Sequence, residues 1–94
     1  MPYASVVHVQ LTQGGGAAAG EQMLREQLLP RLQAQPGFQN ARFFRASDGT
    51  VGMGVAVFDT EEHANAGQDA MVNQRPPEAP RVTSSAVYEL FLEV

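Results

Sequence analysis

Two side chains, His8 and Arg42, have the chemistry of a general base and of an anion anchor. His8 lies in the middle of the apolar segment 3–11, and imidazole suits proton transfer because it ordinarily titrates near neutral pH. Arg42 lies among apolar and aromatic residues, where a guanidinium can bind a carboxylate or an enolate. The alternatives are a histidine whose ring is hydrogen-bonded in the core, and an arginine that pairs with an acid or extends into solvent.

Three further residues are candidates for contact with a ligand. Asn65 lies on a predicted helix, where its amide could bind a ligand carbonyl, although most such asparagines are surface residues. Tyr88 could supply a phenol, and its alternative is a place in the core or in an interface. Met53 shares a predicted strand face with Arg42. A metal site at His63 is not expected, because its i+4 neighbour is Gly67.

Composition excludes several classes of protein. Cysteine is absent, which excludes disulfides, zinc fingers, iron–sulfur clusters and cysteine nucleophiles. The net charge is −4 and there is no basic run, so neither nucleic acid nor an anionic membrane is an expected partner. No apolar run approaches the roughly 20 residues that span a bilayer. We therefore expect a cytoplasmic protein.

One motif could indicate a cofactor. Gly14-x-Gly16-x-x-Ala19 formally matches the dinucleotide fingerprint. The next strand enters a hairpin, however, and no acid closes the motif about 20 residues further on. A flexible glycine-rich loop is the better interpretation, and no cofactor is predicted.

Six segments would position these side chains. Hydrophobic patterns predict strands over residues 3–11, 38–46, 50–58 and 82–94, and helices over residues 18–35 and 59–73. The order β-α-β-β-α-β is that of the ferredoxin-like α+β fold, a four-stranded antiparallel sheet with two helices on one face. Residues 1–94 are expected to form one such domain.

Local signals set the details of these segments. Asp48-Gly49 predicts a two-residue hairpin turn, whose register places Arg42 opposite Val55 and Phe44 opposite Met53. The same register places the Phe43 ring over Gly54. Pro30 should kink or shorten the first helix. Asp59 is the predicted cap of the second helix, with Glu62 reaching back as in a capping box.

All four predicted strands carry apolar residues on both faces. Two helices cover only one face of a four-stranded sheet, and the other would be a large exposed apolar patch. Two sheets packed face to face, as a homodimer, would bury it. The sequence therefore predicts that this chain pairs with a second copy of itself.

Three segments together resemble a known family: Gln35-Pro36-Gly37-Phe38, the Asp48-Gly49 hairpin, and Val57-Phe58-Asp59-Thr60-Glu61-Glu62. They are similar to the antibiotic-biosynthesis-monooxygenase-like domain of the dimeric α/β-barrel superfamily. The resemblance implies two sheets that form a barrel and a small, mostly apolar or aromatic ligand between sheet and helices. It also implies cofactor-independent oxidation of a phenolic or enolic compound, with His8 as base and Arg42 stabilising the oxyanion. The alternative is a binding or interaction module without catalysis.

The sequence also departs from that family. Its oxygenases commonly carry a His or Trp nine residues after the aromatic residue that ends the third strand, and here that position is Gly67. Haem-degrading members use an Asn, a Trp and a His, whereas this chain has no Trp and has Arg75, Pro76 and Pro77 in the region of that His. Haem degradation is therefore not expected.

Overall fold

Four strands form one antiparallel sheet in the order β2-β3-β1-β4: β1 (Tyr3–Gln10), β2 (Phe38–Arg45), β3 (Val51–Phe58) and β4 (Arg81–Glu89). The computed structural model describes residues 1–11, 21–73 and 80–94. Two helices, α1 (residues 21–33) and α2 (Glu61–Asn73), pack on the same face of the sheet. The α+β ferredoxin-like fold is thereby confirmed, and β1 has the predicted central position.

The hairpin of β2 and β3 has the predicted register but a wider turn. Arg42 pairs with Val55, and Phe43 pairs with Gly54 and packs 3.0 Å from where a Cβ atom would lie. The prediction of a two-residue turn was wrong. The Thr50 N–H donates to the Asp48 carboxylate (3.0 Å) instead of closing the ladder, and the first backbone bond joins the Ala46 N–H to the Val51 carbonyl. Gly49 still supplies the positive φ, at 75°.

Pro30 neither breaks nor shortens α1. The turn before it widens into a π-helical segment, Leu24–Leu28, in which the Leu29 N–H donates to the Leu24 carbonyl. The α-helical segment Leu29–Gln33 continues the same helix, and Pro30, which has no N–H, leaves one backbone bond of that helix unmade. The wider turn lets the helix pass a residue that would otherwise clash with the preceding turn.

The last strand is shorter than the predicted 82–94. β4 ends at Glu89, and a final backbone bond joins the Leu90 N–H to the Pro2 carbonyl (2.9 Å). Its partner β1 begins at Tyr3, so little backbone remains beside which β4 could continue. Residues 91–94 are exposed.

The core lies between the sheet and the two helices. Its largest fully buried side chains are Phe58, Leu32, Met71, Val7 and Ser5. Ser5 is polar, but its hydroxyl donates to the Ala64 carbonyl of α2, so its burial leaves no donor unpaired. Gly67 lies directly against Phe58, and a Cβ atom at Gly67 would overlap the ring. The close approach of α2 to the sheet depends on this glycine.

Replacing Gly67 by alanine should therefore destabilise the protein. Helix propensity alone would favour alanine by about 1 kcal/mol. Displacing the fully buried Phe58 ring should outweigh this gain and lower the free energy of unfolding by about 1–3 kcal/mol. Urea denaturation measures the difference. Ala66→Leu, at the adjacent exposed position, should stay within about 0.5 kcal/mol of the parent. A Gly67→Ala protein more stable than the parent would contradict the packing argument.

Candidate functional site

The sheet face away from the helices, here called the open face, carries most of the candidate residues. Ser5 and Val7 of β1 are buried beneath the helices, so the residues between them point the opposite way. Residues that pair with one another across the strands lie on the same face, so the open face can be read from the register. It consists of Ala4, Val6, His8 and Gln10 of β1, Asn40, Arg42 and Phe44 of β2, Val51, Met53, Val55 and Val57 of β3, and Arg81, Ser84, Ala86 and Tyr88 of β4.

His8 lies near the middle of the open face. It pairs with Met53 of β3 on one side and with Ser84 of β4 on the other. The register of β4 shifts between His8 and Val9, and Thr83 at this irregularity donates its hydroxyl to the His8 carbonyl (3.2 Å). The backbone of His8 is thus held on both sides, whereas its imidazole is exposed.

Arg42 lies two strands from His8 and is offset from it by two residues along the strand direction. It pairs with Val55, which pairs in turn with Val6. From strand spacing and residue rise, the Cα atoms of His8 and Arg42 are about 12 Å apart. Met53 and Val55 lie between them and form an apolar surface flanked by the two polar groups.

The structure does not bring the five candidates together at one point. His8, Arg42, Met53 and Tyr88 share the open face, and none of these side chains hydrogen-bonds to another residue in the described part of the chain. Tyr88 pairs with Ala4 and is 55% exposed. Asn65 is exposed on α2, on the helix side of the sheet.

The described residues bear on the expected place of a ligand between sheet and helices. Between sheet and helices the described residues form a packed core of fully buried side chains, and four of the five candidates lie on the opposite face. The family position for a His or Trp, Gly67, faces the Phe58 ring and has no room for either. The glycine-rich motif at residues 14–19 and the segment Arg75-Pro76-Pro77 lie outside the described residues.

The open face has a charge opposite to that of the whole chain. The net charge is −4, yet the described strand residues that form this face include Arg42, Arg81 and His8 and no carboxylate. Glu89 of β4 pairs with Tyr3 and points to the helix side. A face with arginines and no acid of its own favours contact with an anion.

A second polar cluster, not anticipated from the sequence, lies where β3 enters α2. The His63 Nδ1 and the Asp59 Oδ1 are 2.6 Å apart. The pair lies on Gly37, whose φ is 77° and whose carbonyl accepts from the Asp59 N–H (3.0 Å). The predicted cap was wrong by one residue: Thr60 caps the helix by accepting from the His63 N–H (3.1 Å), which frees Asp59 for the imidazole. The Asp-x-x-x-His spacing was the available signal.

The hydrogen bond to His63 lowers the pKa of the Asp59 carboxyl below its ordinary 3.8. In residues 1–11, 21–73 and 80–94 no three His, Asp or Glu side chains cluster so as to hold a metal ion. None of the helices in that part of the chain has the length and apolar character needed to cross a membrane.

Comparison with solved structures identifies the fold. A haem-degrading protein of Mycobacterium tuberculosis superposes with a TM-score of 0.66 at 19% identity, over 100% of this chain and 99% of that one. A Bordetella bronchiseptica protein that carries the name of an antibiotic biosynthesis monooxygenase gives 0.64 at 14%, over 97% and 98%. A monooxygenase of Streptomyces coelicolor, in complex with nanaomycin D, gives 0.62 at 17%, over 98% and 89%.

No family model matches the chain, and no curated protein matches it by sequence. The structural matches therefore show that the chain has the fold of antibiotic-biosynthesis-monooxygenase-like proteins, as the resemblance implied. At these sequence identities the likeness concerns the fold and not the activity.

The lowered pKa of Asp59 predicts how its contribution to stability depends on pH. A folded-state pKa below the unfolded value stabilises the fold above about pH 4, and the contribution disappears as pH falls through the folded value. Asp59→Asn should lower the Tm at pH 7 and have much less effect near pH 2. Thermal denaturation from pH 2 to pH 7 measures this. Glu61→Gln is the control, since it removes a charge from the same helical turn without a histidine partner. Equal losses in both variants, or a loss independent of pH, would contradict the prediction.

Proposed function

We propose that this chain works as a homodimeric α/β barrel that binds a small phenolic or enolic compound and oxidises it with dioxygen, without a cofactor. The observation that carries the proposal is the open face, on which an apolar centre is flanked by His8 and Arg42. A cysteine-free chain suits the cytoplasm, which is the proposed location.

Dimerisation is supported by the exposure of the open face. Phe44, Val51 and Tyr88 are each at least half exposed, at 51%, 50% and 55%. With both helices on the other side, nothing in the described residues covers these side chains. A second copy can cover them, and a stable interface of standard size buries roughly 800 Å² on each partner.

Strand order suggests how the two sheets would pack. A two-fold axis that runs along the strands between β1 and β3 would place β3 over β1 of the partner and β2 over β4 of the partner. β4 and the partner's β2 would then run antiparallel at the edges. Such an arrangement closes eight strands into a barrel and leaves no exposed sheet edge.

The same face suits oxidation of an acidic, electron-rich ring. The imidazole of His8 would take the phenol proton, and Arg42 would offset the charge of the phenolate. Dioxygen then oxidises the phenolate: one oxygen atom bonds to the ring, the other leaves as water, and the phenol supplies both hydrogen atoms of that water. The small side chains Ser84 and Ala86 beside His8 and Val6 would leave room for a flat ring.

The second candidate is a binding module of the same form without catalysis. The distance of about 12 Å between His8 and Arg42 in one chain favours it, since a base and an oxyanion donor usually converge on one atom. Gly67 favours it too, because the second helix supplies neither the His nor the Trp of the resembling oxygenases at that position.

The dimer is tested by an acidic substitution at the centre of the open face. Sedimentation equilibrium at micromolar concentration should give twice the chain mass of 10.1 kDa for the parent protein. Val6→Asp should give monomer or aggregate, because it would bury a carboxylate between the apolar Val55 and Ala86, two strands from Arg42. Ala66→Asp, on the exposed side of α2, should remain dimeric. A monomeric parent would overturn the proposal.

Catalysis is tested by oxygen uptake with a panel of quinols, naphthols and enolic diketones. His8→Gln should lower kcat/KM about 10²–10⁴-fold, the usual contribution of a general base. Arg42→Gln should lower it about 10²–10³-fold. Arg25→Gln, on the exposed surface of α1, should leave it unchanged. Binding of the compounds without oxygen uptake would support the module without catalysis.

A further inference from the structure

The Arg42 guanidinium of the open face has no counter-charge from the described residues of this chain on that face. Arg42 and His8 carry no ion pair in the described part of the chain. The strand residues around His8 on this face are Val6, Gln10, Met53, Phe44 and Ser84, none of which titrates. A second copy would bring the same residues and again no carboxylate. Closing two such faces would bury the two Arg42 guanidinium cations without a partner, which is strongly unfavourable.

Geometry indicates where those cations would lie in the proposed homodimer, on which this inference rests. With the two-fold axis between β1 and β3, β2 lies over β4 of the partner and β1 over the partner's β3. In the plane of the sheets, Arg42 and His8 of its own chain are about 12 Å apart, whereas the in-plane offset from Arg42 to His8 of the partner subunit is about 8 Å, across a gap of about 10 Å between the facing sheets. Because Arg42 pairs with Val55, Val55 with Val6 and Val6 with Ala86, the same axis places the small Ala86 of the partner subunit over Arg42.

We propose that the barrel holds two equivalent sites for a small aromatic anion, each formed by Arg42 of one protomer and His8 of the partner subunit. The guanidinium pairs with the anion, His8 of the partner subunit contacts it from the opposite sheet, and Met53 and Val55 pack against the ring. The anion supplies the charge that both chains lack on this face. Binding and dimerisation are therefore linked, and a bound anion tightens the dimer.

Benzoate and its neutral analogue benzamide are the probes, with binding followed by calorimetry and the dimer by sedimentation. Benzoate should bind with two sites per dimer and tighten the dimer at least tenfold at saturating concentration. Benzamide should do neither. Equal effects of the two probes, or a dimer that benzoate leaves unchanged or weakens, would overturn the anion site.

Mixed dimers test whether the two residues come from different chains. His8→Gln and Arg42→Met proteins, each alone, should lose benzoate binding. Their equimolar mixture should recover about a quarter of the parental sites, because half of the dimers are mixed and each has one intact site. A mixture that binds no more than its components would overturn the shared site.

The reciprocal mixture uses the double variant His8→Gln/Arg42→Met with the parent protein. A shared site predicts that mixed dimers bind no benzoate, whereas a site within one chain predicts one benzoate per mixed dimer and would overturn the proposal. The benzoate stoichiometry of the mixed dimers tests the shared site, and the proposed function is tested by other measurements. A monomeric parent refutes the homodimer, and absent oxygen uptake refutes catalysis but leaves benzoate binding to be measured.

Discussion

Two helices can cover only one face of a four-stranded sheet, and the rest of this molecule follows from that limit. On the covered face, the helices and sheet enclose Phe58, Leu32 and Met71 without exposure to solvent. On the open face, valines, a phenylalanine and a tyrosine remain accessible. The chain is thus internally stabilised on one side only. Its second side has an apolar surface on β3 that is flanked by His8 and Arg42.

Packing on the covered face also decides where chemistry can occur. Phe58 fills the space beneath α2, and Gly67 permits this because it has no side chain. An aromatic or imidazole group on that turn of α2 would have to displace the ring, so the helix side lacks the residue that the resembling oxygenases carry there. Of the five candidate residues, the four outside α2 are on the open face. Structural likeness to oxygenases therefore leaves the position of a site in this chain to be argued from its own side chains.

The sequence predicted the sheet well, because alternation and a hairpin signal constrain strands strongly. Arg42 faces Val55 and Phe43 covers Gly54 as expected, since strand register follows from pairing across the whole hairpin. Details that depend on competition between hydrogen bonds were missed. The Asp48 carboxylate takes the Thr50 N–H and widens the turn, and Thr60 takes the cap that was assigned to Asp59. The widened helical turn before Pro30 and the Asp59–His63 pair depend on local backbone and side-chain geometry, which the spacing of hydrophobic residues does not predict.

Charge distribution links the fold to its candidate function. The described carboxylates lie on the helices, in turns, on the helix side of β4 and beyond it, and so the overall charge of −4 says little about the open face. Because successive strand residues point to opposite faces, acidic and basic side chains can lie on different faces of one sheet, a difference that the net charge does not reveal. Arg42 lies on the side that the proposed second chain would bury, where water could no longer hydrate its guanidinium. An apolar face with arginines and no acids is the feature on which both the proposed second sheet and the proposed anion rest.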